Sequence, residues 1–150
     1  MDAFSIHGGQ RLTGRVSVDG SKNAALPLLA ASLLTDELVT YTSAPELSDI
    51  ANMLRLLEEL GCSTEQQNDR IVVRVNDASQ SHARYDIVRT MRASVCVLGP
   101  LLAKRGVVQV SMPGGCSFGD RPIDLHLRGL EALGASIHLK GGDIVARCDR

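Results

Sequence analysis

Apolar positions along the 150-residue chain change period several times, and each change predicts an element. Leu12–Val18 alternates apolar and polar residues and predicts a strand ending at Gly20. Ser21 is placed to cap a helix from about Lys22 to Leu34, rich in Ala and Leu. Glu37–Ser43 has the Val-Thr-Tyr-Thr character of a strand. Pro45 and Ser48 open a second helix. Its Ile50, Met53, Leu54, Leu57 and Leu60 share one face, and Gly61 stops it. Ile71–Val75 predicts a strand, and Ile87–Lys104 a mostly apolar helix bent or ended near Gly99-Pro100. Val107–Ser111 predicts another strand, followed by the loop Pro113-Gly114-Gly115-Cys116-Ser117-Phe118-Gly119-Asp120. Pro122–Leu133 predicts a helix with Ile123, Leu127 and Leu130 on one face and Gly134 as its stop. Ser136–Lys140 and Ile144–Cys148 predict a hairpin around Gly141-Gly142-Asp143.

The pattern repeats itself. Leu57-Glu58-Glu59-Leu60-Gly61-Cys62-Ser63 matches Leu130-Glu131-Ala132-Leu133-Gly134-Ala135-Ser136 at an offset of 73 residues. Pro27-Leu28-Leu29-Ala30 matches Pro100-Leu101-Leu102-Ala103 at the same offset. Each unit reads helix, strand, loop, helix, strand, strand, so the fold class is α/β and duplicated. The second unit places its strand earlier after the proline and has room for a longer loop, the Gly-rich stretch that holds Cys116. A loop lengthened in one copy only is where chemistry is sought first. The chain stops at Arg150, directly after the second unit, and reads as a fragment.

Composition narrows the function. The net charge is -1, which leaves no electrostatic footprint for nucleic acid or an anionic membrane. Aromatics are 3%, too few for a base-stacking platform. The longest apolar runs, Ala24–Leu34 and Ala93–Ala103, are shorter than a membrane span. The first ten residues carry neither a basic nor an apolar region of a secretion signal. Cys62, Cys96, Cys116 and Cys148 lie far apart without a CxxC pair, which predicts no disulfide scaffold, no zinc site and a reducing cytoplasm. His7, His82, His126 and His138 show no ligand spacing, and no dinucleotide or P-loop glycine motif is present.

The candidate chemistry gathers at helix starts and in the long loop. Lys22 stands at the first turn of a predicted helix, where partial positive charge already sits. It is either a solvated lysine or one half of an anion site completed by free backbone N–H groups, with Asn23 beside it. Arg121 repeats the anomaly immediately before Pro122, a natural first helical residue. Two matching helix starts with the same misplaced cation point to a shared anionic ligand. Asp124 either complements its helix dipole or accepts from a ligand hydroxyl. Cys116, among Gly114, Gly115 and Gly119 and near Arg121, is the one cysteine outside an apolar segment, and it reads as the reactive thiol. Arg92 is a helix arginine that nothing local distinguishes.

Three stretches carry a resemblance. They are Gly20-Ser21-Lys22-Asn23-Ala24-Ala25-Leu26-Pro27, Thr90-Met91-Arg92-Ala93-Ser94, and Pro113-Gly114-Gly115-Cys116 followed by Gly119-Asp120-Arg121-Pro122-Ile123-Asp124-Leu125-His126. In this order they resemble the UDP-N-acetylglucosamine 1-carboxyvinyltransferase family, the enolpyruvyl transferases that open peptidoglycan synthesis in the cytoplasm. The resemblance implies a fold of two similar domains, each of three inside-out βαβαββ units around buried helices. The active site lies in the cleft between them. Residues 18–150 would be an incomplete domain with units at about 18–76 and 84–149, and residues 1–17 a strand of the other, missing domain.

It also implies roles. Lys22, Asn23 and Arg121 would hold phosphoenolpyruvate and lie beside the sugar nucleotide. Arg92, Pro122, Ile123, Asp124 and Leu125 match the stretches that line the UDP-N-acetylglucosamine site. Cys116 matches the proton donor to phosphoenolpyruvate, which can carry a covalent adduct and is alkylated by fosfomycin. No metal and no organic cofactor are implied. The third unit, most of the other domain and the carboxylate that deprotonates the sugar hydroxyl are missing from the 150 residues, so the chain alone is expected to be inactive. Two alternatives remain. A shikimate-pathway enolpyruvyl transferase fits Asn23 and Cys116 poorly. A non-catalytic nucleotide-sugar binding module has no need of Lys22, Cys116 and Arg121 together.

Overall fold

The computed structural model describes residues 3–112 and 123–149. Helix α1 (Lys22–Ala31) runs into a 3-10 turn at Ser32–Leu34 and is followed by strand β1 (Val39–Tyr41). Helix α2 (Ser48–Glu59) leads through Gly61 into the hairpin of β2 (Cys62–Gln67) and β3 (Arg70–Val75). Next come the short strand β4 (His82–Ala83), helix α3 (Tyr85–Val88), a 3-10 stretch at Arg92–Val97 and helix α4 (Leu98–Arg105). Strand β5 (Val107–Ser111), helix α5 (Asp124–Ala132), β6 (Ser136–Lys140) and β7 (Asp143–Arg147) complete the described chain.

The two sheets share one plan. The first has the order β1-β3-β2, all antiparallel, and the second the order β4-β5-β7-β6. Removing β4, which joins β5 in parallel, leaves the same three-strand ladder. The hairpins also share their register. Ser63 faces Arg74 in one and Ser136 faces Arg147 in the other, both at the offset of 73. Val39 stands opposite Val73 and Val108 opposite Ala146, so β5 is offset from β1 by only 69. More residues separate β5 from α5 as a result, 112–123 where the first unit uses 42–47.

The core lies between helices and sheets. Leu26, Leu29 and Ala30 of α1, Ile50, Met53, Leu56 and Leu57 of α2, and Leu98, Leu101 and Leu102 of α4 are buried. Ile71 and Val73 of one sheet and Val108, Val110, Ile144 and Ala146 of the other close over them. Burying each large aliphatic side chain contributes about 1.5–3 kcal/mol before entropy is counted. Polar bonds join the units at the rim. Glu59 Oε1 accepts from Arg84 Nε at 2.9 Å and from its backbone N–H at 3.0 Å. Arg105 donates to the Leu60 carbonyl at 3.0 Å, and Lys104 to Asp36 at 3.0 Å.

Several expectations change. Residues 3–20 form no strand, and Leu12, Val16 and Val18 are exposed. A strand needs a neighbour for its backbone groups, and this segment has none among the described residues. The Ser21 side chain makes no capping bond, although its carbonyl accepts from the Ala24 and Ala25 N–H groups. The 87–104 stretch is not one helix. It breaks at Arg89–Met91, where Thr90 Oγ1 donates to the Ile87 carbonyl and Ser94 Oγ to the Val88 carbonyl. These hydroxyls occupy the acceptors that a continuing helix needs. Gly99-Pro100 lies in the first turn of α4 rather than at a helix end, because Pro is tolerated where the N–H has no partner. Helix α5 begins at Asp124, with the buried Ile123 in a non-helical conformation before it, and Pro122 lies outside the described residues.

Candidate active site

Close backbone approach fixes the start of α1. A Cβ on Gly20 would sit 1.9 Å from the Ser43 carbonyl oxygen, so only glycine lets the chain pass there. Tyr41 ties the same end of β1 to α1. Its hydroxyl donates to the Leu28 carbonyl at 2.6 Å and pairs with Ser32 Oγ at 2.6 Å. Burial pushes its pKa up, opposed by the Ser32 bond. Between them lies a groove of about 200 Å³ lined by Gly20, Ser21, Ala24, Leu28, Tyr41 and Ser43.

Lys22 Nζ meets Asp49 Oδ2 at 2.7 Å, which joins the first turn of α1 to the first turn of α2. The carboxylate offsets the repulsion between the ammonium and the positive end of α1, and complements the same end of α2. Pro27 adds a second feature: it has no N–H to close the helical turn onto the Asn23 carbonyl, four residues back. One helix start thus presents a cation, an exposed amide side chain and a carbonyl without its α-helical partner. The Lys22 and Asp49 side chains are 42% and 30% exposed, so the pair is solvated and weak. A double-mutant cycle of Lys22→Met and Asp49→Asn, read from urea midpoints, is expected to give a coupling of about 0.2–1 kcal/mol. A coupling above about 2 kcal/mol would instead mark a desolvated pair.

Of the other expected residues, Arg92 and Leu125 have links to α1. Arg92 is half-buried in the 3-10 stretch that packs on α1. Asp124 is exposed in the first turn of α5. Leu125 is 72% exposed and shares a groove with Pro27, Cys96, Leu98 and Leu130. Ile123 is core. Cys116, Arg121 and Pro122 lie outside the described residues. Burial raises the pKa of Cys62 to about 11, against a smaller lowering by Arg105, and that of Cys96 rises for the same reason, which keeps both thiols protonated. No group of three or more His, Cys, Asp or Glu fit to hold a metal occurs among the described residues, and no described helix is long and apolar enough to cross a membrane. Sequence reasoning missed Asp49. An acid in the first turn of a helix looks like ordinary dipole complementation, and nothing local ties it to a lysine 27 positions away.

Comparison with known proteins shows the family and the fold. Residues 6–149 match the EPSP synthase (3-phosphoshikimate 1-carboxyvinyltransferase) family. The UDP-N-acetylglucosamine 1-carboxyvinyltransferase of Desulforapulum autotrophicum is 48% identical over 150 residues, which is 100% of this chain and 36% of that protein. Its namesake in Cellvibrio japonicus is 53% identical over 148 residues, covering 98% of this chain and 35% of the relative. The chain thus spans about a third of the length of these relatives. Among solved structures, the enolpyruvyl transferase NikO from Streptomyces tendae superposes with a TM-score of 0.77 at 21% identity, over 97% of this chain and 32% of its own. EPSP synthase from Acinetobacter baumannii gives 0.64 at 18% identity, over 90% and 32%. The fold is therefore the α/β arrangement of the enolpyruvyl transferases.

Proposed function

The chain belongs to the EPSP synthase family, and from that premise we propose that it is part of a UDP-N-acetylglucosamine 1-carboxyvinyltransferase. The observation that carries this reading is identity of about half the residues, along the whole chain, with relatives of that name. The proposed reaction joins the sugar 3-hydroxyl to C2 of phosphoenolpyruvate while a proton goes to C3. Phosphate then leaves from the tetrahedral intermediate as the C3 proton is lost again, and the enol ether remains.

Phosphoenolpyruvate carries a phosphate and a carboxylate, and cations at helix starts are what its binding needs. Lys22 and Arg121 take that role, with Asn23 beside them. Arg92, Pro122, Ile123, Asp124 and Leu125 line the sugar-nucleotide side, where the packing of α1 against the Arg92 stretch and its groove with Leu125 support their nearness. Cys116 delivers the proton. The enzyme works in the cytoplasm, in peptidoglycan synthesis.

A third unit and a second domain complete it. Leu60 is buried at the end of α2, where Arg84 and Arg105 of the next unit arrive. Its counterpart Leu133 is 82% exposed, as expected if a further unit covers it. The exposed apolar positions of residues 3–18 suit a strand that pairs with the other domain. Phosphate release by the full-length protein tests the reading. It should require both phosphoenolpyruvate and UDP-N-acetylglucosamine, with no release by the 150-residue chain alone. Release that requires 3-phosphoshikimate instead would overturn the assignment of substrate.

A further inference from the structure

The end of β5 carries a polar cluster that the proposed reaction leaves unused. Ser111 Oγ donates to Asp143 Oδ1 at 2.6 Å, and Gln109 Nε2 donates to Oδ2 at 2.6 Å. His82 Nε2 stands 3.7 Å from Oδ2. Three adjacent strands, β4, β5 and β7, thus converge on one carboxylate. The Ser111 and Gln109 hydrogen bonds hold that carboxyl below its ordinary range, against a small opposing effect of burial. Ser111 is buried, so its hydroxyl needs this partner. The backbone extends the restraint by one residue, since the Met112 N–H donates to the Gly142 carbonyl at 2.9 Å. The next residues in sequence are 113–122, which include Cys116.

The duplicated unit is an internal control. Its ladder matches β1 to β5 and β3 to β7, so Thr40, Thr42 and Arg70 stand where Gln109, Ser111 and Asp143 do. No carboxylate is available there, and the loop that follows is the short one over 42–47. The cluster therefore occurs in the copy with more residues between strand and helix, at the end of the strand that precedes them.

We infer that Asp143 is a positioning residue. By gripping Gln109 and Ser111 it holds the end of β5, which precedes Cys116 by five positions in the sequence. The inference rests on the functional reading above only for its kinetic consequence. In full-length protein, Asp143→Ala should lower kcat for phosphate release about 10–100-fold, with KM for UDP-N-acetylglucosamine within about twofold, the signature of a displaced reacting group. Asp143→Asn keeps both hydrogen bonds, one with its polarity reversed, and should return kcat to within about threefold of the unsubstituted protein. Amide exchange at Ser111 and Met112 should speed up about fivefold or more in Asp143→Ala and not in Asp143→Asn.

An unchanged kcat in Asp143→Ala, a rise in KM alone, or an Asn variant as slow as the Ala variant overturns the inference. Should Asp143→Ala not fold, Ser111→Ala carries the same comparison with a smaller loss in the same direction. If the unsubstituted full-length protein releases no phosphate, the functional reading fails by itself. The exchange comparison then decides the bracing role, and unchanged exchange rules it out.

Discussion

Replacing Cys116 by alanine in the full-length protein is expected to lower phosphate release from phosphoenolpyruvate about 10²–10⁴-fold, the usual contribution of a positioned general acid. The alkene carbon C3 is a poor base, and water at neutral pH is a poor acid for it. A thiol in a glycine-rich stretch can approach the substrate closely, and Arg121, five positions on in sequence, is a cation suited to tune it. Cys62 and Cys96 are no substitutes. Burial raises the pKa of Cys62 and of Cys96, which makes both weaker proton donors, and Cys62 stands in β2 of the first unit. KM for UDP-N-acetylglucosamine should stay within a few-fold, because in the proposed reaction the thiol acts on the other substrate. A variant that releases phosphate at the unsubstituted rate removes Cys116 from the proton path and leaves it a bystander in the loop.

How far the sequence discloses this molecule depends on what each element rests on. Strand β5 reads correctly from Val107 to Ser111 because it is apolar and flanked by Gly106. The β6–β7 hairpin reads nearly so because Gly141-Gly142 marks its turn. Strand β2, Cys-Ser-Thr-Glu-Gln-Gln, shows no pattern of its own because it is an edge strand, and only the repeat implies it. Cys62 is its one buried residue, and it is held by backbone pairing with β3 rather than by an apolar pattern. The break in the 87–104 stretch is equally silent, since it comes from serine and threonine hydroxyls that bond backwards and not from Pro or Gly.

The site divides in the same way. That Lys22 sits at a helix start is local and legible, and so is the glycine before it. That its ammonium meets Asp49, and that Asp143 gathers Gln109 and Ser111, depends on packing between distant segments. The repeat was the strongest signal. The offset of 73 read from a few identical residues reappears as the register of both hairpins.

The repeat also supplies a controlled comparison of two glycines. Gly61 and Gly134 occupy matching positions after α2 and α5, with φ of +86° and +98°. Alanine at either must adopt a left-handed conformation, which costs about 1–2 kcal/mol. Their surroundings differ. A Cβ at Gly61 would lie 2.0 Å from the Asp77 carbonyl oxygen, whereas no described atom lies within 4 Å of one at Gly134. The Asp77 backbone has little freedom to retreat. Its N–H and that of Asn76 both donate to the Gly61 carbonyl at 2.9 Å. Its carboxylate, pulled down to about 2 by bonds from Ser79 and Gln80, holds the following turn. Relief of the overlap means breaking one or both backbone bonds, at about 1–3 kcal/mol for each group left unsatisfied. Gly134→Ala in the 150-residue chain should therefore lose about 1–2 kcal/mol by urea denaturation, and Gly61→Ala about 3 kcal/mol or more. Equal losses would mean that the 76–77 segment yields freely, and that the junction between the two units is softer than its hydrogen bonds imply.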